Sequence, residues 1–155
     1  MNFNDVLNTP VEDIRRPPLP PIGSYKMGVI KTDIREQPGR DKSWGVIDFT
    51  LRGIAPQDDV DMDDMRAYGD AKNIVQRRSF MFERGGDEAS LATTLFNLKR
   101  FVTEHLNIEW PDGQGVKQIL PKCINAVCIA NIQYNPDKND PDLMHANIKS
   151  TTSAQ

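Results

Sequence analysis

Alternation of apolar and polar residues is the strongest pattern along this chain. Within residues 43–52, one parity holds Ile47, Phe49 and Leu51, and the other holds Trp44, Val46, Asp48, Thr50 and Arg52. Since successive side chains of a strand point to opposite faces, this period of two predicts a strand with one face in the core. Residues 74–83 show the same pattern, with Phe80 and Phe82 opposite Arg77, Ser79 and Met81.

Three further segments predict strands. Residues 23–35 alternate, but the apolar parity changes near Gly28, which indicates a bulge or sharp bend. Residues 122–134 are apolar on both parities, and this is typical of a strand covered on both faces. Residues 144–150 form a last short strand with Ala146 and Ile148 inward.

A period of 3.6 residues appears once, after Gly85-Gly86. Asp87 is placed to cap a helix that continues to about Leu106. Its predicted core stripe consists of Leu91, Leu95, Leu98, Val102 and Leu106. Phe96 lies off that stripe and requires another neighbour.

The remaining segments predict connections. Residues 1–22 form an arm, because the prolines of residues 15–21 favour an extended polyproline II path. This segment is either a spacer or a strap that lies on the domain surface, or its R-x-x-P-x-x-P pattern is a ligand for a proline-reading module. Residues 55–72 form an acidic loop insertion that holds at most a short helical turn. Residues 107–121 form a loop, and residues 151–155 form a C-terminal tail. The domain proper therefore covers residues 23–150.

This order of elements predicts a mainly β protein with one helix. Three strands, a helix and two strands (β-β-β-α-β-β) are the order of the OB-fold, a five-stranded Greek-key barrel, here with an extended N-terminal arm. Any small α+β domain with five strands and one helix is the alternative. At 155 residues, with 38% hydrophobic and 26% charged residues, the chain suits one soluble domain.

Charge is unevenly distributed along the chain. The formal net charge is −3, but without the five carboxylates of residues 58–64 it becomes +2. An acidic loop on a mildly basic body is compatible with a nucleic-acid partner. That loop is either solvated or a mimic of DNA phosphate that competes for the basic face. Its calcium-loop spacing (Asp59, Asp61, Asp63, Asp70) lacks the turn glycine and the bidentate glutamate, so calcium is disfavoured.

Catalysis, cofactors and metals find no support in the sequence. Cys123 and Cys128 are five residues apart in the predicted fourth strand, on opposite faces, and are expected to be reduced. The two histidines, His105 and His145, have no zinc-ligand spacing and no nucleophile motif beside them. We therefore expect a protein that is not an enzyme and binds no metal or cofactor.

Several segments carry a resemblance to a known group of proteins. They are Asp5-Val6-Leu7-Asn8-Thr9-Pro10, residues 18–25, residues 46–51, Asp59-Val60-Asp61 and Leu98-Lys99-Arg100-Phe101. Together they resemble a group of small bacteriophage proteins that is similar in pattern to phage single-stranded-DNA-binding proteins encoded beside replication genes. The resemblance covers nearly the whole chain and implies an OB-fold that binds single-stranded DNA. The best-known bacterial proteins of this function end in an acidic tip, which residues 150–155 lack.

The OB-fold predicts where such a ligand lies: across strands two and three, between the loops joining strands one to two and four to five. Cations would follow the phosphates there, and aromatic rings would stack on bases. Trp44 and Tyr134 are the stacking candidates; each alternatively packs, Trp44 over a barrel end and Tyr134 against a turn. The predicted nucleic-acid-binding residues are Arg35, Arg40, Lys42, Trp44, Arg52, Arg77, Arg78, Tyr134 and Lys138.

Two functional hypotheses follow. The first is a sequence-nonspecific single-stranded-DNA-binding protein of a phage replication or recombination module, in the cytoplasm of the infected host. The second is a non-enzymatic virion or assembly protein whose arm and tail strap onto neighbouring subunits. A homo-oligomer is compatible with both. No secretory signal and no apolar run of about 20 residues is found, so we expect no membrane partner.

Overall fold

A computed structural model describes residues 1–155 and contains five strands. They are β1 (Gly23–Pro38), β2 (Ser43–Pro56), β3 (Val75–Glu83), β4 (Val127–Pro136) and β5 (Met144–Ser153). All neighbours pair antiparallel in one sheet of order β3-β2-β1-β4-β5. The two outermost strands, β3 and β5, also approach each other. The protein is therefore mainly β with a barrel-like sheet, as the alternation predicts.

The helices are more numerous than the single one predicted. They are α1 (Phe3–Leu7), α2 (Met62–Tyr68), α3 (Glu88–Arg100) and α4 (Val116–Ile119). Short 3-10 turns cover Val11–Asp13, Ala71–Asn73 and Leu120–Cys123, and a π-helical turn covers Phe101–His105. Residues 116–123 were expected to lie in a loop and at the start of β4, but Ile119, Leu120 and Cys123 are buried there. These turns fill the core with few residues, so they leave no periodic pattern in the sequence.

A bulge in β1 explains the change of apolar parity. Val29 pairs with Leu51 and Lys31 with Thr50, so Ile30 is the extra residue; a second irregularity leaves Ile54 of β2 unpaired. Tyr25, Met27 and Val29 face the core before the bulge, and Lys31 faces outward after it. The predicted bulge is confirmed, and it determines which side chains of β1 point to solvent.

An aromatic cluster occupies the core between β2, β3 and the end of α3. The ring centroids of Phe49 and Phe101 are 5.0 Å apart, and those of Phe80 and Phe101 are 5.6 Å apart. Phe101 belongs to the π-helical turn, whose wider hydrogen bond runs from the Leu106 N–H to the Phe101 carbonyl at 2.9 Å. The extra residue of this turn brings both Phe101 and Val102 into the core.

The predicted core stripe of α3 is correct only in its second half. Asp87 caps the helix by accepting from the Ser90 N–H at 2.7 Å, as expected. Leu98, Val102 and Leu106 are buried, but Leu95 is exposed and lines a surface groove instead of the core. Phe96 is exposed as well, and Leu91 is half-buried.

Both chain ends differ from the expectation. The arm is not uniformly extended, because it contains α1 and a 3-10 turn before the prolines. The predicted tail of residues 151–155 is mostly strand: β5 continues to Ser153, and Thr151 is buried. Thr151 is held there by a contact of its Oγ1 with His105 Nδ1 at 2.8 Å.

Candidate nucleic-acid interface

The strand register assembles a polar surface on β1, β2 and β3. Residues that are direct partners across an antiparallel sheet share a face. One row across the three strands contains Lys31, Thr50 and Arg77, and the neighbouring row contains Asp33, Asp48 and Ser79. We call the surface made by these two rows and the three that flank them the outer face. The flanking rows are Arg35-Val46-Met81 and Gln37-Trp44-Glu83 on one side and Gly28-Arg52-Val75 on the other, and Val46 is buried beneath its neighbours.

A buried carboxylate lies at the centre of the outer face. Asp48 is only 2% exposed; it accepts hydrogen bonds from Arg35 Nε at 2.5 Å and from the Ser79 hydroxyl, and it pairs with Arg77 at 3.6 Å. Burial acts to raise the pKa of Asp48, but the hydrogen bonds from Arg35 and Ser79 and the two arginine charges outweigh it and lower the pKa. Asp48 therefore stays ionised and fixes both guanidinium groups.

A shallow groove of about 500 Å³ lies over this carboxylate. Its walls come from the middle rows of the outer face, and Ile34 and Val75 add exposed apolar side chains. The lining residues are Lys31, Asp33, Ile34, Arg35, Asp48, Thr50, Val75 and Arg77. Cations and apolar surface are thus adjacent in one concave region.

Four of the nine sequence-predicted site residues lie on this face, and two more lie at its hairpin end. Arg35, Trp44, Arg52 and Arg77 are members of its rows, and Arg40 and Lys42 lie in or beside the turn that joins β1 to β2. The side chain of Trp44 is half-buried beside that turn, so close that a Cβ added to Gly39 would lie 3.6 Å from the indole Nε1. Trp44 thus covers the turn and exposes the rest of its ring.

Acidic neighbours compensate part of this positive charge. Lys31 pairs with Asp33 at 3.1 Å, Lys42 with Glu83 at 3.2 Å, and Arg84 with Glu36. Arg40 and Arg52 make no ion pair. The surface is therefore a mixture of paired and free cations rather than a continuous basic strip.

Arg78 lies away from the outer face. Its Cα partner is Phe49, and its guanidinium carbon is 4.5 Å from the centroid of the Phe80 ring, over the aromatic cluster. Burial lowers the pKa of Arg78. Its position is that of a cation capping the core, and the structure does not bring it to the other predicted residues.

Tyr134 and Lys138 are also separated from the outer face. The Tyr134 hydroxyl donates to the Pro20 carbonyl at 2.7 Å, and the Tyr25 hydroxyl donates to the Pro21 carbonyl at 2.7 Å. These contacts, with Pro20 and Pro21 buried, make residues 16–22 a strap on the domain rather than a free ligand for another module. Lys138 lies in the loop from β4 to β5, among Asp137, Asp140 and Asp142.

The strap is fastened at its other end by Arg16. The Arg16 guanidinium donates to the Met144 carbonyl and contacts His145 Nδ1 at 3.2 Å, while His145 Nε2 is 2.8 Å from Asp137. The hydrogen bond from His145 and those from backbone N–H groups lower the pKa of Asp137. His145 therefore has structural partners, as His105 does in Thr151, and neither histidine lines the groove.

The acidic insertion is a folded part of the domain. Asp59 accepts from the backbone N–H and the hydroxyl of Ser24, both at 2.8 Å, and these bonds lower its pKa. Asp61 caps α2 through the N–H groups of Asp63 and Asp64, and Val60 and Met65 are buried. Asp63 pairs with Arg66, and Asp70 caps the 3-10 turn that follows. The carboxylates of the calcium-like spacing thus have separate local partners.

The cysteines differ from the expectation in placement. Cys123 ends a 3-10 turn and Cys128 lies in β4, and both thiols are buried and free. Burial raises the pKa of each to about 11. Both are inert core residues, so the assumption that they lie on opposite faces of one strand is wrong.

Sequence reasoning missed Lys31 and the exposed apolar residues of the groove. Lys31 can be recognised as an outward-facing residue only if the bulge is assigned to Ile30, because one inserted residue exchanges the inward-facing and outward-facing side chains.

No helix of this protein combines the length and apolar character needed to cross a bilayer. Comparison of the chain with protein-family models gives no match, and comparison with curated proteins gives none either.

Proposed function

We propose that this protein binds single-stranded DNA along the outer face, with little sequence preference, in a phage replication or recombination module. The observation that carries this proposal is the groove in which Arg35, Arg77 and Lys31 lie beside exposed apolar side chains, with Trp44 and Arg52 at its two ends. Single-strand binding requires this combination of cations and flat or apolar surface.

The strand order supports an OB-type barrel. If β3 and β5, which approach each other, close the sheet, the ring order becomes β1-β2-β3-β5-β4. This is the order of the OB-fold, whose strands two and three carry oligonucleotides. In that architecture the outer face coincides with the customary ligand surface.

The cations of the outer face are either unpaired or paired with carboxylates that an anionic ligand can replace. Arg52 is exposed and unpaired, and Arg77 is 59% exposed although it touches Asp48. Lys31 and Lys42 each have one surface carboxylate, and such pairs contribute about 0–1 kcal/mol. Little free energy is therefore lost when a DNA phosphate replaces the carboxylate partner of Lys31 or Lys42. Asp48, in contrast, keeps Arg35 in position.

Trp44 is the stacking residue in this proposal. It lies in the row next to Arg35, at the hairpin end of the face, with its indole partly open to solvent. One base stacked on an aromatic ring contributes roughly 1–3 kcal/mol. Tyr134, whose hydroxyl holds the strap, has no stacking role in this arrangement.

Fluorescence anisotropy of a labelled oligothymidine tests the proposal. We expect binding that weakens steeply between about 50 and 200 mM salt, because bound cations release counterions from the DNA. Trp44→Ala should weaken binding by roughly 5-fold to 150-fold, the equivalent of one stacked base. Trp44→Phe, which keeps an aromatic ring at the same position, is the matched variant and should lose much less affinity than Trp44→Ala. Absence of binding at 50 mM salt refutes the proposal.

A second candidate is the virion or assembly protein. It is favoured by the arm, where Phe3, Val11 and other apolar side chains are exposed without a partner. The affinity of an apolar arm for a neighbouring subunit depends weakly on salt, whereas the affinity for DNA depends on it strongly. Titration at two salt concentrations therefore separates the two candidates.

A further inference from the structure

We propose that α1 of one copy of this protein packs into an apolar groove beside α3 of a second copy. This groove, which we call the α3 groove, is lined by Ala92, Leu95, Phe96, Lys99, Trp110, Gln114, Gly115 and Val116. The contact does not depend on DNA, so it stands or fails separately from the proposed function.

The α3 groove exposes apolar surface that the fold itself does not cover. Phe96 is 64% exposed and Leu95 is 46% exposed, although both belong to a well-formed helix. The opposite wall is rigid, because Trp110 packs on the core and its indole N–H donates to the Gln114 carbonyl at 2.8 Å. Exposed aromatic and aliphatic residues around a concavity are typical of a protein-binding site.

The arm provides an apolar helix that also lacks a partner. Asn2 and Asp5 form a reciprocal capping box, so α1 is a defined helix although it is short. Phe3, Val6 and Leu7 have the spacing i, i+3 and i+4 and therefore share one side of it. All three are more than half exposed. Every hydrogen bond of residues 1–15 stays within that segment.

The α3 groove and the segment around α1 carry charges of opposite sign. The only charged residue that lines the α3 groove is Lys99, and it makes no ion pair. The segment around α1 carries Asp5, Glu12 and Asp13 and no basic side chain before Arg15. An acidic apolar helix is the partner that this groove fits.

The attachment of the arm favours a second copy as the partner. Arg16 is fixed to the Met144 carbonyl, and residues 8–15, which are exposed except for the half-buried Thr9, lead from there to α1. Eight residues span at most about 28 Å, which is enough to reach a neighbouring molecule. Since the arm and the groove are different surfaces, the contact can propagate from copy to copy or close into a dimer in which two copies exchange arms.

Sedimentation velocity of the full chain over a range of concentrations tests this inference. We expect the weight-average molecular mass to rise with protein concentration. Leu7→Asp and Phe96→Asp should each raise the concentration at which the protein is half associated at least tenfold. Both positions are exposed, so the variants should fold, and circular dichroism verifies this. Met62→Asp, at a 50% exposed methionine of α2, is the matched control and should associate like the unmodified protein.

Mixing the two variants gives the decisive result. A Leu7→Asp copy keeps an intact groove and a Phe96→Asp copy keeps an intact arm, so their mixture should form a 1:1 dimer and nothing larger. The inference is overturned if the unmodified protein stays monomeric at all concentrations. It is equally overturned if Phe96→Asp prevents association but Leu7→Asp does not, since the groove would then bind something other than the arm.

Disulfide trapping identifies which chain supplies the arm. Copies with Leu7→Cys are mixed with copies with Leu95→Cys under mild oxidation, and we expect a cross-linked heterodimer. The native Cys123 and Cys128 are buried and should not compete. A dilute double variant that cross-links only within one chain contradicts the assignment to a second copy.

Discussion

Arg35 Nε on β1 lies 2.5 Å from Oδ2 of Asp48 on β2, and the carboxylate that receives it is almost completely buried. The same carboxylate contacts Arg77 on β3, so one buried charge both links three strands and holds two cations of the outer face in place. A buried charge that loses its partners is costly, so the three residues depend on one another.

The first prediction concerns Asp48→Asn. The variant keeps the size of the side chain but loses two charge-assisted contacts, and we expect the free energy of unfolding at pH 7 to fall by about 2 kcal/mol. The pKa of Asp48 is lowered in the folded protein, so its contribution is present above the ordinary pKa of 3.8 and is lost as the pH falls through the folded value. Urea unfolding at pH 7 and pH 2.5 should show a smaller difference between variant and unmodified protein at pH 2.5.

The second prediction separates the outer face from general charge effects. Arg52→Ala removes a free cation of the outer face, and Arg66→Ala removes one from α2, so both change the net charge equally. We expect Arg52→Ala to weaken oligothymidine binding and to reduce the magnitude of the log–log salt slope by about 1. Arg66→Ala should leave the slope unchanged; an equal effect of both variants contradicts a localised interface.

The third prediction tests the packing of the acidic insertion on the sheet. A Cβ on Gly53 would collide with the backbone carbonyl of Ala71 and lie 3.4 Å from Ile74, so neither neighbour can yield without moving the chain. Gly53→Ala should cost about 1–3 kcal/mol in thermal or urea unfolding. Gly28→Ala, whose Cβ meets nothing closer than 3.5 Å, is the control and should change stability much less.

The fourth prediction concerns His105 and pH. Burial, followed by the charge of Arg100, lowers the pKa of His105, so the unfolded chain takes up a proton first as the pH falls below 6.5. The unmodified protein therefore loses stability from this group as the pH decreases from 6.5 towards the folded pKa. His105→Gln removes that loss but also the contact with Thr151. Its destabilisation should accordingly be larger at pH 7.5 than at pH 5.5.

The fifth prediction addresses the acidic insertion as a competitor of DNA. Deleting residues 58–64 would also remove buried Val60 and the Asp59 contacts to Ser24, so the deletion would test folding instead. Asp58 and Asp64 make no side-chain hydrogen bond or ion pair that fixes them. If the carboxylates compete, Asp58→Asn with Asp64→Asn should strengthen oligothymidine binding several-fold at low salt. Unchanged affinity contradicts competition.

The sequence predicted the strands well because their signal is local. Alternation alone located β2 and β3 within a few residues, and the parity change in β1 located its bulge. The order of pairing is not visible in such a pattern, since it depends on contacts between distant segments. The closeness of Arg35 and Arg77 to one carboxylate is likewise a result of pairing and not of spacing.

The errors arise where composition conceals packing. Residues 58–64 look like a solvated loop, yet Val60, and Met65 just after them, fill the core between charged neighbours. Leu95 continues the stripe of α3 but is exposed in a surface groove, because helical spacing alone does not show which turns of a helix are covered by the core. Residue type alone predicts Tyr134 and Arg78 as ligand contacts, and the positions of these side chains against Pro20 and Phe80 are not encoded in neighbouring residues.

The mixed character of the acidic insertion has a consequence for how this protein can diverge. Val60 and Met65 are constrained by the core, and Asp59 and Asp61 by the backbone groups that they hold. Asp58 and Asp64 are constrained by neither. Homologous chains should therefore keep the first four positions in character while the charge at the other two varies, so that the net charge of the protein can change without any change in the fold.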